Sequence, residues 1–256
     1  MDVDVAVARA DDMIGQGARI IDIGGASSRP RGAAYGQGAQ LVDADQELVR
    51  ILPVIKRLAR SHPEVLISVD TFRSDVARAA LEAGAGMLND ITALRFDQHM
   101  ASVAAEWDVP LCLMHSVGMP GDMPHTKADR DIVRTVSSEL AAARDKARSA
   151  GVRTVILDPG FGFGKSFDDN FRLMAHIPSF TALGCPVLIG VSRKSSVGAA
   201  LVPAGAKPPP PAERLFGSLG VTAVAVLGGA SIVRTHDVRD TVDFLRALHV
   251  TAASHS

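Results

Sequence analysis

At seven points along the chain a polar or charged side chain stands where an apolar run stops. These are Asp22 with Ser27, Ser28 and Arg29; Asp70; Asn89 with Asp90; His115; Asp158; Ser192 with Lys194; and Arg234 with His236. The set divides by chemistry. Asp70, Asn89 and Asp158 offer acceptors and one amide donor, which suits a flat heterocycle carrying amino and ring N–H groups. Arg29, Lys194, Arg234 and His236 offer positive charge and donors suited to a phosphate or pyrophosphate. The ligand they imply is a nitrogen-rich ring with an anionic tail. Taken singly, each residue has a plainer explanation. An Asp after a strand commonly caps the next helix, an equal reading for Asp70 and Asp90. Asp22, followed by glycines, reads as structural rather than catalytic, and a single histidine such as His115 is more often a satisfied structural group than a ligand. Their convergence on one face is what favours a shared site.

The stretch DPGFGFGKS invites two motif assignments, and both fail on spacing. A phosphate-binding P-loop needs a glycine five places before Gly164, where Pro159 stands; a dinucleotide fingerprint needs one where Lys165 stands. Two readings of the glycines remain: they let the backbone turn tightly above a strand, or they bring Phe161 or Phe163 over an aromatic ligand. No HExxH spacing or calcium loop is present, so no protein-held metal is expected, and a participating magnesium ion would arrive with the phosphates.

These groups need a scaffold that gathers strand ends. The apolar runs RIIDIGG, LISVDTF, MLNDI, PLCLMH, TVILDPG, PVLIGV and SIVRTH read as strands. Between them lie amphipathic segments at 45–61, 74–83, 98–107, 129–150, 169–177 and 213–227, with 238–248 closing the chain. Near-continuous apolar strands imply a parallel sheet covered by helices. Because almost every strand ends in a polar residue, rather than one dominant phosphate turn, a (β/α)₈ barrel is expected over an open sheet. The N-terminal stretch reads as a helix, with Val3, Val7, Ala10 and Ile14 on one face, Asp2 as its cap and Gly15 and Gly17 ending it. A short strand through Val3, Val5 and Val7 is the alternative. The count is then eight helices and seven parallel strands, an eightfold barrel that lacks strand 1. The segment 202–211, rich in proline, is expected to be extended.

At 256 residues with a 47% hydrophobic share, the chain suits one domain, residues 1–256. A formal net charge of -1 gives no footprint for nonspecific nucleic-acid binding. Cys112 and Cys185 each lie in an apolar run and read as reduced core residues, as in a cytoplasmic protein; no secretory signal is visible. The uncharged stretch 215–233 is broken by glycines and reads as a buried helix followed by a buried strand, with no membrane span.

The segments IIDIGGASSRP, LISVDT, LNDI, CLMH, LDPGFGFGK, GVSRKSSVG and VRTHDV occur in the order found in dihydropteroate synthases, and the resemblance covers nearly the whole chain. It implies the same barrel, a single pterin-binding domain, and a transferase of folate biosynthesis. That enzyme joins 6-hydroxymethyl-7,8-dihydropterin diphosphate to 4-aminobenzoate and releases pyrophosphate. By resemblance, Asp70, Asn89, Asp158 and Lys194 hold the pterin, with Met114 packing on the ring. Ser28, Arg29, Arg234, Thr235 and His236 meet the diphosphate, and Pro30, Phe163 and Ser195 shape the aminobenzoate pocket. Asp70, Asp158 and Lys194 carry the catalysis, which is electrostatic: cations stabilise the leaving anion while the carboxylates favour positive charge developing on the ring. Mg2+ is implied as a cofactor bound mainly through the substrate diphosphate, and a homodimer is the family's common state.

The departures from the family pattern are specific. SSRP stands for the usual STRP, and Ala26 for the usual glutamate. The first strand and the NxTPDSFSDGG loop, with an asparagine that helps bind metal, are not found in the sequence. Their loss would leave RIIDIGG and SIVRTH as unpaired edges, where each buried unsatisfied backbone group costs about 1–3 kcal/mol. It would also admit water to a carbocation. A mis-set start or a shortened paralogue would explain this, and reduced turnover is expected. The alternatives are a noncatalytic or regulatory paralogue, and a pterin-binding methyltransferase that uses methyltetrahydrofolate and a corrinoid partner.

Overall fold

The computed structural model describes residues 2–26, 42–118 and 128–253. Helix α1 (Val3–Gly15) opens the fold: Asp2 accepts from the Asp4 N–H at 2.9 Å, and Val7 and Ala10 are buried. The helix ends where Gly17 enters the left-handed region (φ 106°), so the helical reading of this segment holds.

Strand and helix then alternate: β1 (Ile20–Ile23), α2 (Ala44–Ser61), β2 (Leu66–Asp70), α3 (Ser74–Glu82), β3 (Met87–Asp90), α4 (His99–Glu106), β4 (Leu111–Met114), α5 (Ile132–Ser149) and β5 (Val155–Asp158). Next come α6 (Phe167–Ala175), α7 (Ile177–Thr181), β6 (Leu188–Ile189), α8 (Ser195–Ala200), a 3₁₀ turn (Pro211–Arg214), α9 (Leu215–Leu227), β7 (Ile232–Val233) and α10 (Val238–Ala253). The seven expected strands are present, but eight helices is an undercount. Ten α-helices are described, because α7 and α8 are single short turns of helix with too few residues to show a 3.6-residue period.

Strands β1 to β5 pair in sequence order, all parallel, and β6 pairs with β7. A bridge between Leu157 and Val187, with Leu157 donating to the Pro186 carbonyl at 3.0 Å, carries the series from β5 to β6. The result is the (β/α)₈-barrel arrangement with seven strands, and among the described residues β1 and β7 share no ladder. Side chains link these two ends instead: Arg234, just after β7, donates from Nε to Asp22 on β1 at 2.8 Å.

Strand alternation sorts the side chains into two populations. Met87, Cys112, Ile156 and Leu188 point into the barrel and form a small apolar layer, with Ile20, Leu66 and Ile232 packed on it. Two residues further along each strand, the same face carries Asp22, Ser68, Asn89, Met114, Asp158, Gly190 and Arg234. The opposite face, with Ile67, Val69, Leu88, Leu113, Leu157 and Ile189, joins the helices in the main core. The two cysteines are free and buried.

Helix α9 corrects another expectation. It turns Ser218, Thr222 and Ala225 inward and leaves Phe216, Val224 and Leu227 at 83%, 52% and 64% exposure, so this uncharged helix is not buried all round. Its inward hydroxyls are satisfied by its own backbone, Ser218 on the Arg214 carbonyl (2.9 Å) and Thr222 on the Ser218 carbonyl (2.8 Å).

Asp90 has the parity of the helix layer, and its carboxylate accepts from the Thr92 N–H (2.8 Å), the Thr92 hydroxyl (2.6 Å) and the Leu94 N–H (2.7 Å). It pins a turn in which Ala93 and Leu94 both have positive φ. Asp90→Ala is therefore expected to lower stability in urea unfolding by about 1–3 kcal/mol; an unchanged midpoint would remove this capping role.

Candidate active site

At the carboxyl ends of the strands a pocket opens between Asp70, Asn89, Ile91, Met114, Asp158, Phe161, Phe163, Gly190, Lys194 and Arg234. Six of the residues singled out as pterin contacts or as a wall of the aminobenzoate pocket meet here: Asp70, Asn89, Met114, Asp158, Phe163 and Lys194. Asp70 and Asn89 face each other in the β2–β3 register, as do Met114 and Asp158 in β4–β5.

The electrostatics follow from crowding buried charges. Burial raises the Asp70 carboxyl to about 7, helped by the negative charge of Asp22 and opposed by Arg234. Asp158 is raised to about 6, again by burial, against the Gly160 N–H that it accepts at 2.7 Å and the cations Lys165, Lys194 and Arg234. Lys194 is lowered to about 8 by burial and by Arg234. Its Nζ lies 3.9 Å from the centroid of the Phe163 ring, a cation–π contact that fixes both side chains. Arg193, immediately before it, has φ 60° and is held by Asp237 through its Nε at 3.1 Å, which turns the chain so that Lys194 faces the pocket.

Arg234 reaches over the mouth between two acids, Nε on Asp22 at 2.8 Å and Nη2 at 3.5 Å from Asp70. His236 shares its parity and pairs Nδ1 with the Ser192 hydroxyl at 3.0 Å. Burial, then Arg193 and Arg234, lower its pKa, and an anion beside the ring would oppose that shift.

The turn after β5 is built by Lys165. It is 1% exposed, and its ammonium donates to the carbonyls of Gly160 (2.8 Å), His115 (3.1 Å) and Phe163 (3.3 Å). Gly160 has φ 72°, and a Cβ there would collide with the His115 carbonyl oxygen. The turn is tight, as the first reading of the glycines has it, and Phe161 and Phe163 line the pocket.

Some residues do not join. His115 has the helix-side parity; its Nε2 lies 3.2 Å from Glu139 on α5, and burial, Lys165 and Arg95 lower it to about 3. The Thr235 hydroxyl also turns from the pocket, pairing with Thr241 at 3.0 Å and accepting from the Asp237 N–H at 3.1 Å. Ser195 begins α8 and does not line the pocket. Ser28, Arg29 and Pro30 lie outside the described residues. Sequence reasoning missed Ile91 and Gly190 on the pocket wall and Lys165 beneath it. It also set Asp22 aside, although its place two residues after Ile20 gives it the barrel-facing parity.

Among the described residues no group of three or more His, Cys, Asp or Glu side chains could hold a metal ion. The site carboxylates fit that finding, since Asp22 and Asp70 are engaged with Arg234.

Comparison with known proteins places this geometry. A family model described as "Pterin binding enzyme" matches residues 1–236. A dihydropteroate synthase of Synechocystis is 41% identical over 235 residues, 91% of this chain and 77% of that protein. That of Escherichia coli is 38% identical over 251 residues, 97% of this chain and 84% of its own length. Among solved structures, a Clostridium difficile dihydropteroate synthase crystallised in the presence of pteroic acid superposes with TM-score 0.86 at 37% identity, covering 97% of this chain and 88% of that one. The Xanthomonas albilineans enzyme with 4-aminobenzoic acid gives 0.84 at 42%, covering 99% and 85%. The chain belongs to the pterin-binding enzyme family and, within it, to the dihydropteroate synthases.

Proposed function

We propose that this chain condenses 6-hydroxymethyl-7,8-dihydropterin diphosphate with 4-aminobenzoate and releases pyrophosphate. The observation that carries the reading is one pocket in which Asp70, Asn89 and Asp158 present acceptors while Lys194 and Arg234 present cations. Asp158 and Asp70 accept from the amino and N–H groups of the ring, Asn89 adds an amide, Met114 packs on its face, and Phe163 stands toward the aminobenzoate. Arg234 and His236 meet the diphosphate, joined by Ser28 and Arg29, with Pro30 beside the aminobenzoate. The Thr235 hydroxyl is engaged with Thr241, and Ser195, at the start of α8, helps shape the aminobenzoate pocket.

The C–O bond between the exocyclic methylene and the diphosphate breaks, and its electron pair leaves with pyrophosphate. The arylamine nitrogen then bonds to the methylene carbon and loses a proton. Negative charge on the ring's partners favours the cationic methylene, and the rim cations favour the departing anion, so the acceleration is electrostatic. Magnesium, if it accompanies the diphosphate, is held by substrate oxygens and not by a cluster of described side chains.

The remaining assignments extend this reading. The exposed apolar face of α9, with Leu201 and Val250 nearby, is covered by a second copy of the chain, giving a homodimer. A cytoplasmic location fits the two free buried thiols. No described helix is long and apolar enough to cross a membrane.

Pyrophosphate release is expected only with both substrates present, and Asp158→Asn should reduce kcat/KM by about 100-fold. Tight pterin binding with no pyrophosphate release would assign the chain a noncatalytic pterin-binding role instead. The pH dependence has a definite sign. Asp70 and Asp158 are raised, so below about 6 they are protonated and accept poorly; Lys194 is lowered and loses its charge above about 8. Pterin affinity measured by titration calorimetry should therefore rise through pH 6–7 and fall beyond about 8. Below about pH 4 the same two acids contribute stability to the empty protein, and this is lost as pH rises through 6–7. The thermal shift on binding should accordingly grow between about pH 5 and 7.5. Sedimentation should report a dimer that Phe216→Glu with Leu227→Glu dissociates; a monomeric parent chain would overturn that assignment.

A further inference from the structure

We propose that Asp22 is a positioning residue that couples the two halves of the site, holding Asn89 for the ring and Arg234 for the anionic tail through one carboxylate. This rests on the pterin diphosphate reading above. Asp22 sits on the barrel-facing side of β1 with its side chain 14% exposed. Its partners are all side chains from other strands or strand ends: the Ser68 hydroxyl donates to Oδ1 at 2.7 Å, and Asn89 Nδ2 (3.2 Å) and Arg234 Nε (2.8 Å) donate to Oδ2. Among the described residues it caps no turn, unlike Asp90.

Two consequences follow from donor geometry. A carboxylate facing the Asn89 amide admits only its NH₂ end, because a flipped amide would set oxygen against oxygen; the Asn89 carbonyl oxygen is thereby fixed as an acceptor away from Asp22. For Arg234, engagement through Nε leaves the two Nη groups as a fork directed past Asp22, one of them 3.5 Å from Asp70. Without the Asp22 charge, Asp70 is the nearest remaining carboxylate for that guanidinium. The fork would then collapse onto Asp70 and compete with the ring for it. Loss of Asp22 should thus weaken recognition of the pterin and of the anion together, although Asp22 lines neither contact itself.

Calorimetric titrations with three probes test this: pterin diphosphate, the pterin alcohol without phosphate, and inorganic pyrophosphate. Asp22→Asn is measured in the parent, Asn89→Ala and Arg234→Ala backgrounds. In the parent, it should weaken the pterin alcohol about 5-fold and pyrophosphate about 10-fold. In Asn89→Ala the loss for pterin alcohol should shrink below about 2-fold, and in Arg234→Ala the same should hold for pyrophosphate. Equal losses in every background, or none, would overturn the coupling, since a purely structural defect is blind to which partner has been removed. Ser68→Ala, which loosens the carboxylate but keeps its charge, should give the same pattern at about 2–3-fold. If Asp22→Asn does not fold, the absence of any pattern in Ser68→Ala overturns the proposal. A parent chain that binds none of the pterin probes overturns the functional reading and this inference with it; normal parent binding with additive variants overturns the inference alone.

Discussion

A side chain on a strand points to one face of the sheet, and its neighbour must point to the other. The site depends on this parity more than on any single contact. Met87, Cys112, Ile156 and Leu188 fill the barrel interior, so the residues two further along are committed to the same side, at the pocket. Asn89, Met114 and Asp158 occupy those places, and Arg234 follows Ile232 in the same way. A slip of one residue in β5 would exchange Asp158 for Leu157 and bury an acid among the helices. The apolar layer is thus the floor of the pocket and also sets its register.

Parity concentrates charge where water is scarce. Asp22, Asp70 and Asp158 share a small volume with Lys194 and Arg234, and burial disfavours the charged forms of Asp70, Asp158 and Lys194. The empty pocket relieves part of this by pairing: Arg234 spans Asp22 and Asp70, and Lys194 rests on the Phe163 ring. Burial, with the negative charge of Asp22 beside it, raises Asp70 to about 7. A ligand with a donor-rich edge and an anionic tail satisfies both excesses at once. Each hydrogen bond to a charged group contributes about 1.5–3 kcal/mol, and an electrically neutral ring with no tail would leave the cations as they are.

Much of this was legible in the sequence. Apolar runs ending in polar residues gave the seven strands and the barrel, and their chemistry gave a ring pocket beside an anion pocket. What the runs do not show is which of two adjacent residues faces inward. Asn89 and Asp90 read alike, yet one lines the pocket and the other clasps Thr92 and Leu94. His115 and Thr235 fail for the same reason, each lying one residue past an inward position. Helices α7 and α8 escaped because a single turn has no period to detect. Asp22 was read as structural because glycines follow it; its three side-chain partners come from residues 46, 67 and 212 positions away, a convergence that local spacing cannot reveal.

Lys165 shows how a buried charge can serve geometry without touching a ligand. Its ammonium gathers carbonyls from both the end of β4 and the turn after β5, so the two strand ends that carry Met114 and Asp158 are bound to a common point. Lys165 is 1% exposed, and burial lowers its pKa to about 7 against the pull of Asp158. A neutral side chain of the same length would take a donor from three inward carbonyls, of which Gly160 and Phe163 keep a backbone N–H, from Phe163 and Val117 at 3.2 Å each, in a place where a lost hydrogen bond is costly. The close approach that this gathering requires is what excludes any side chain at Gly160 and Gly164, whose Cβ atoms would meet the backbone oxygens of His115 and Val117. The glycines and the lysine are therefore one device. The absence of side chains lets two turns come into van der Waals contact, the ammonium locks them there, and the rigid crossing presents Asp158 and Phe163 to the pocket at a fixed separation.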